Sequence, residues 1–185
     1  MNKVKIILAA WACALACAAA AGDTNSLATQ IGAFENRTGA VIVKGFSPIG
    51  SIPLGFAQLS LGCKETRDVH SGEKIYGLII EAEGNQIAPE TVLVDDDEVA
   101  PLLAAINYLA TVNNDVTTLG GFEATYTTRA GLRVIAESIR KEGAVQNYLK
   151  LESYPRIALT PVQVAQFAAL IQQGRKDLDA LKAGK

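Results

Sequence analysis

The chain has 185 residues, 49% hydrophobic and 19% charged, with 17 basic side chains against 19 acidic ones. That length and apolar share suffice for a proper core in one domain or two intertwined halves. The slight acidity excludes a broad phosphate-binding surface, which needs clustered positive charge.

In chain order, residues 1–21 read as an export leader. Lys3 and Lys5 form a positive n-region, residues 6–21 are uncharged and alanine-rich, and Ala19-Ala20-Ala21 offers small residues for cleavage. The apolar run is short for a membrane span, and the polar Asp23-Thr24-Asn25-Ser26 follows at once. The expected product is an exported bacterial protein, periplasmic or secreted, that begins near Gly22. The alternative is a lipid-anchored envelope protein. Ala14-Leu15-Ala16-Cys17 loosely resembles a bacterial lipobox with its first two residues exchanged, and lipidation of Cys17 is the one route to a membrane. Cleavage at Ala21 removes Lys3 and Lys5, leaving 15 basic and 19 acidic residues, formally −4. It also leaves Cys63 as the sole cysteine, so no internal disulfide can form.

Residues 22–39 form an N-terminal segment, polar and loose at 22–30, with β-rich sequence from Ala33 onward. The first half, 40–114, opens with a strand over 40–46 by its β-branched content. Ser47-Pro48-Ile49-Gly50 and Ile52-Pro53-Leu54-Gly55 then read as turn or loop. Residues 57–64 alternate, with Ala57, Leu59, Leu61 and Cys63 on one face, so Cys63 points inward as a small core hydrophobe rather than a nucleophile. A turn at 68–72 carries His70, strand 75–83 follows, and 91–94 is the last strand before a helix. Asp95 is placed as its N-cap, Glu98 as the capping-box partner, and Val94 with Val99 as a hydrophobic staple. Val99, Leu102, Leu103, Ile106 and Leu109 make the apolar face. Pro101 conflicts with a start at Asp95, because its ring meets the carbonyl four residues back. The helix therefore starts nearer Asp97 or has an irregular first turn.

Residues 115–121 are a linker with paired glycines. The second half, 122–185, repeats the order: strand 122–128, a turn at Arg129-Ala130-Gly131, strand 132–140, a turn at 141–143, strand 145–153, a break at Tyr154-Pro155 and strand 156–159. Thr160 is the cap, Pro161 the first helical residue, Gln163 the box partner, and Leu159 with Val164 the staple. Val164, Phe167, Ala168, Ile171, Leu178 and Leu181 follow the helical period, and Lys182 suits the C-terminal dipole. Aligned over 93–106 and 158–171, the two units share Val99/Val164, Ala100/Ala165, Ala104/Ala169 and Ile106/Ile171. The expectation is an α+β protein of two β-β-β-β-α repeats, with antiparallel sheets each covered by one long helix.

Sites are few. Asp95-Asp96-Asp97-Glu98 could attract a divalent cation, but acids at a helix start cap it and complement its dipole without any ion. His70 has no second histidine with which to share a metal and reads as a surface residue. Asn36-Arg37-Thr38 matches a glycosylation sequon by accident of pattern. Tyr126, Thr127, Thr128 and Arg129 form a polar strand end that reads as solvated. No catalytic, cofactor-binding or metal-binding residue is assigned, and no cofactor is expected.

Two β-β-β-β-α halves resemble the fold of the Whirly and purine-rich-element-binding proteins. That resemblance implies single-stranded nucleic acid as ligand. Only Phe46 beside Lys44 and Tyr148 beside Lys150 set a base-stacking aromatic next to a cation. With an acidic chain behind a leader, nucleic acid is not the expected partner. The expected role is a non-enzymatic binding or assembly protein of the cell envelope, with a protein, a small ligand or further copies of itself as partner. The alternatives are a hydrolase-like envelope enzyme with its site between the halves and, by fold analogy, a single-stranded nucleic-acid binder.

Overall fold

A computed structural model describes residues 28–55, 57–84, 87–139, 144–151 and 156–184, with backbone alone at 87, 88 and 139. The leader, the Cys17 lipobox, the turn at 141–143 and the Tyr154-Pro155 break lie outside these residues. The chain is α+β, with two four-stranded antiparallel meanders. The first holds β1 (Ile42–Leu54), β2 (Ala57–Asp68), β3 (Lys74–Gly84) and β4 (Ile87–Asp95); the second holds β5 (Glu123–Thr127), β6 (Arg133–Ile139), β7 (Ala144–Lys150) and β8 (Ile157–Leu159). Helix α1 (Gln30–Glu35) precedes the first sheet, α2 (Asp96–Leu109) follows it, and α3 (Pro161–Lys182) follows the second.

Three local expectations are corrected. The segment at 22–30 and just beyond is not all loose: α1 begins at Gln30, capped by Thr29, whose hydroxyl accepts from the Gly32 amide. Its signal is short, Ile31 and Phe34 at helical spacing behind a threonine. Second, 47–54 is strand rather than loop. β1 runs through both prolines, with a bulge between Pro48 and Gly50. It can do so because it pairs with β2 alone, and proline is tolerated where a strand's N–H faces no neighbour. Third, α2 begins at Asp96 and continues through Pro101, forgoing one hydrogen bond of the ladder.

Alternation decides which face of the first sheet is core. Ile52, Leu59, Leu61, Cys63, Leu78, Ile80, Val92 and Val94 are all buried and join one cluster with Leu102, Ile106, Leu132, Leu149, Phe167 and Ile171. α3 does not stay over the sheet it follows. It lies across β1, β2 and β3 and meets its own sheet at β8, while α2 sits between α3 and strands of both sheets. The size of the apolar faces explains this. The first sheet has strands of 9 to 13 residues and the second of 3 to 7. A helix of 22 residues, about 33 Å long at 1.5 Å per residue, finds its counterpart on the longer sheet. Gly174 marks the closest approach: a Cβ there would come within 2.7 Å of Leu78 and 2.8 Å of Ile49.

Both bonds of the α3 capping box form as expected. Thr160 Oγ1 accepts from the Gln163 amide at 3.2 Å, and Gln163 Oε1 accepts from the Thr160 amide at 2.9 Å. Gln163 Nε2 then donates to the Pro53 carbonyl at 2.8 Å, tying the helix start to the far end of β1. Leu181 lies at the rim rather than in the core. Among the described residues no helix is long and apolar enough to cross a membrane.

Candidate functional site

Among the described residues, the face of the first sheet opposite α3 is covered only at one end. Helix α1 lies there, with Ile31 and Phe34 buried. Gly77 gives it room, since a Cβ at that position would meet Ile31 Cδ1 and the Val94 carbonyl, each at 2.4 Å. At the C-terminal end of α1, Glu35 accepts from Lys44 at 2.6 Å, Lys64 at 2.7 Å and Thr66 at 3.0 Å. Burial pushes the Glu35 carboxyl up, but these bonds outweigh it and hold the group below its ordinary value.

The rest of that face is an open groove of about 560 Å³, lined among others by Phe46, Pro48, Ser60, Gly62, Ile79 and Glu81. Gly62 keeps its floor flat: an added Cβ would approach the Ser47 carbonyl to 3.1 Å and Ile79 to 3.2 Å. Phe46 is 61% exposed, and the Lys64 ammonium sits 5.5 Å from its ring centre. The groove thus offers hydrocarbon and an aromatic face, a few hydroxyl and amide groups, and one carboxylate. Strand alternation carried its residues, but the loop reading of 47–54 hid the strand that forms its wall.

The acidic run has a different role from the expected one. Asp95 takes an extended conformation at the start of α2 but makes no side-chain cap there. It is 1% exposed and caps α1 instead, accepting from the Gln30 amide at 2.7 Å and the Ile31 amide at 3.0 Å. Arg129 of the β5–β6 turn reaches the same carboxylate at 2.9 Å. Glu98 is likewise no capping-box partner: its Oε1 accepts from the Arg129 amide at 2.9 Å. Asp97 is bound by both guanidinium nitrogens of Arg129, at 2.8 and 2.7 Å, and is held below its ordinary pKa chiefly by that contact. Asp96 receives Lys182 from the end of α3 at 2.9 Å. The cations that answer this cluster are the protein's own, and they join α1, α2, the second sheet and α3. Arg129 is therefore drawn out of the solvated strand end expected for it.

The remaining sequence features are scattered. His70 is exposed in the turn after β2, its amide bonded to Asp68. Asn36 caps the C-terminus of α1, and its side chain donates to the Gly32 carbonyl. Cys63 is buried against α3, where its thiol donates to the Gly174 carbonyl at 3.7 Å. Burial, then the nearby Asp177 charge, push that thiol up to about 11, and the inward reading of Cys63 holds. Tyr148 lies under Arg156 at 5.8 Å, on the second sheet. Among the described residues no three His, Cys, Asp or Glu side chains are grouped to hold a metal ion.

A second cavity, of about 490 Å³, lies between α2, β7 and the start of α3, lined by Ile106, Asn107, Thr111, Val145, Asn147, Val164 and neighbouring alanines. Fold and surface together define an α+β protein of two four-stranded meanders, with an open groove on one face of the first sheet among the described residues. Comparison with protein-family models, curated proteins and solved structures finds no match to this chain.

Proposed function

We propose that the protein is an exported, non-enzymatic binding or assembly module of the bacterial cell envelope, built by duplication of a β-β-β-β-α unit. The groove on the outer face of the first sheet is its working surface. The observation that carries this is the asymmetry of that sheet. One face is packed against α3 and α2, while the other leaves Phe46 exposed and Ile79 half-buried along the groove, beside a docked helix. An apolar groove with a few polar groups suits a neutral or weakly basic ligand held by contact area.

Chemical-shift titration with apolar fragments and short extended peptides tests the reading. Shifts gathered on Phe46, Ser60, Gly62 and Ile79 are expected; shifts gathered on Asn107 and Asn147 would overturn it and move the working surface to the cleft between the halves. That cleft is where the enzyme reading would place its site. General acid–base catalysis needs a titratable group within hydrogen-bond reach, and the polar side chains of that lining are Asn107, Thr111 and Asn147. The enzyme reading therefore stands second. Single-stranded nucleic acid stands third, because Lys44 and Lys64, which flank Phe46, are both engaged by Glu35. The export component predicts a mature N-terminus near Gly22, and mass spectrometry finding a lipid on Cys17 would replace release with anchoring.

A further inference from the structure

The free edge of β1 has a pattern of its own. In an antiparallel pair each residue points its N–H and C=O the same way, alternately toward the partner and away. The Val41 carbonyl accepts from the Val69 amide on the β2 side, and the register runs unbroken from Ile42 opposite Asp68 to Pro48 opposite Gly62. Odd residues from 41 to 47 therefore bond to β2. Ile42, Lys44 and Phe46 turn their backbone groups outward, where no described strand pairs with them. Beyond them the edge is closed: Pro48 has no N–H, a bulge follows, and the outward Pro53 carbonyl is taken by Gln163. The open stretch is also the most exposed apolar part of the first sheet, with Val41 at 66%, Val43 at 53% and Phe46 at 61% exposure.

We infer that this edge pairs with the same edge of a second copy, antiparallel about a two-fold axis at Gly45. Five registers align outward-facing residues; those centred on Ile42 and Val43 carry Phe46 past the start of β1 at Ile42 and leave it without a strand partner. Lys44 opposite Lys44 sets like charges face to face, which is unfavourable. Phe46 opposite Phe46 sets Lys44 against Pro48, which cannot donate, and leaves one fully bonded pair where the Gly45-centred register has two and meets Pro48 only at its ends, opposite Ile42. Centring on Gly45 places Lys44 opposite the partner's Phe46 on both sides of the axis. Each exposed ring then meets a cation already oriented by Glu35, within the reach of a cation–π contact. The four-stranded sheets join into one of eight strands, and the two outer-face grooves lie side by side. The paired surface is small, so the dimer is reversible and concentration-dependent. It covers an exposed β-rich edge that would otherwise invite aggregation. The inference does not depend on what the groove binds.

The register makes a sharp test. Gly45 stands opposite Gly45 in a non-hydrogen-bonded pair, where Cα atoms approach to about 4.5 Å, a separation a disulfide spans. A Cβ at Gly45 has open space, its nearest neighbour being Glu65 Cβ at 4.0 Å. In the chain with Cys13 and Cys17 replaced by serine, Gly45→Cys should give a covalent dimer under mild oxidation, and Val43→Cys should not. Sedimentation should show unsubstituted protein shifting from monomer to dimer with concentration, and Phe46→Pro, which removes an outward donor as Pro48 already does, should abolish the shift. Monomer alone up to about 0.1 mM, the range of a weak interface, would overturn the inference. Equal cross-linking of Val43→Cys and Gly45→Cys would also overturn it, as would a Phe46→Pro protein that is folded by circular dichroism and still dimeric.

Discussion

Asp95 shows how one side chain can be read correctly in type and wrongly in partner. An aspartate before a helix is a cap by any local rule. Here two backbone amides of another helix and a guanidinium compete for its oxygens and win. Burial makes the arrangement binding on the rest of the fold, because an amide left without an acceptor in a dry site costs more than the bond contributes. Asp95→Ala should therefore lower stability by about 2–3 kcal/mol. Hydrogen exchange should speed first at the Gln30 and Ile31 amides. If exchange accelerated in α2 and left α1 protected, Asp95 would be capping its own helix after all. Gln163 is the contrasting case, since its local capping role forms as expected and tertiary structure adds a second bond, to Pro53.

At the scale of elements, burial and edges matter more than propensity. β1 contains two prolines and still makes a 13-residue strand, since only one side of it must hydrogen-bond. Helix α1 has six residues, too few to be stable alone. Tertiary contacts hold it: the Asp95 carboxylate at its start, Glu35 with two lysines at its end, and Ile31 over Gly77 in between. A side chain at Gly77 would strike backbone on one side and α1 on the other. Gly77→Ala should cost about 1–3 kcal/mol by overpacking and should release α1, seen as faster exchange at residues 31–34. A melting curve that coincides with the parent's would show that α1 yields at no cost and that its docking is loose.

For the whole molecule, charge contacts between distant segments set a pH response. Glu35, Glu65, Glu73, Asp97 and Glu123 are all held below their ordinary values. The bonds from Lys44 and Lys64 hold Glu35 down against burial; those from Lys74, Arg37, Arg129 and Arg156 hold the other four. The native state then binds fewer protons than the unfolded chain through the acid range. The stabilisation is present above the unfolded carboxylate values, near 4.5 for Glu and 3.8 for Asp. It is lost as pH falls through the lower native ones. On the alkaline side the Cys63 thiol, pushed up from 9.0 to about 11, favours the native state until pH passes 9, and its contribution fades between those values. Melting temperature should fall on both flanks, and salt should shrink the acid loss because most of these pairs are exposed. A melting temperature that rose on acidification from pH 5 to 3 would contradict the sign.

Several features depend on local rules that a linear chain already satisfies: the α+β class, the two four-strand meanders, the start of α3 at its capping box and the inward Cys63. Period-two alternation, turn glycines and capping residues act over a few positions, so each is written where it operates. Other features needed the chain to close on itself. Helix α3 lies over the first sheet because the longer sheet has the larger apolar face to bury. The acids at 95–98 bind α1, Arg129 and Lys182, which lie 31 to 86 residues away. The groove exists because α1, held at one end of that face by Asp95 from the far side of the sheet's sequence, leaves the rest uncovered among the described residues. Burial and charge pairing are summed over three-dimensional neighbours, and no spacing along the chain encodes who those neighbours will be.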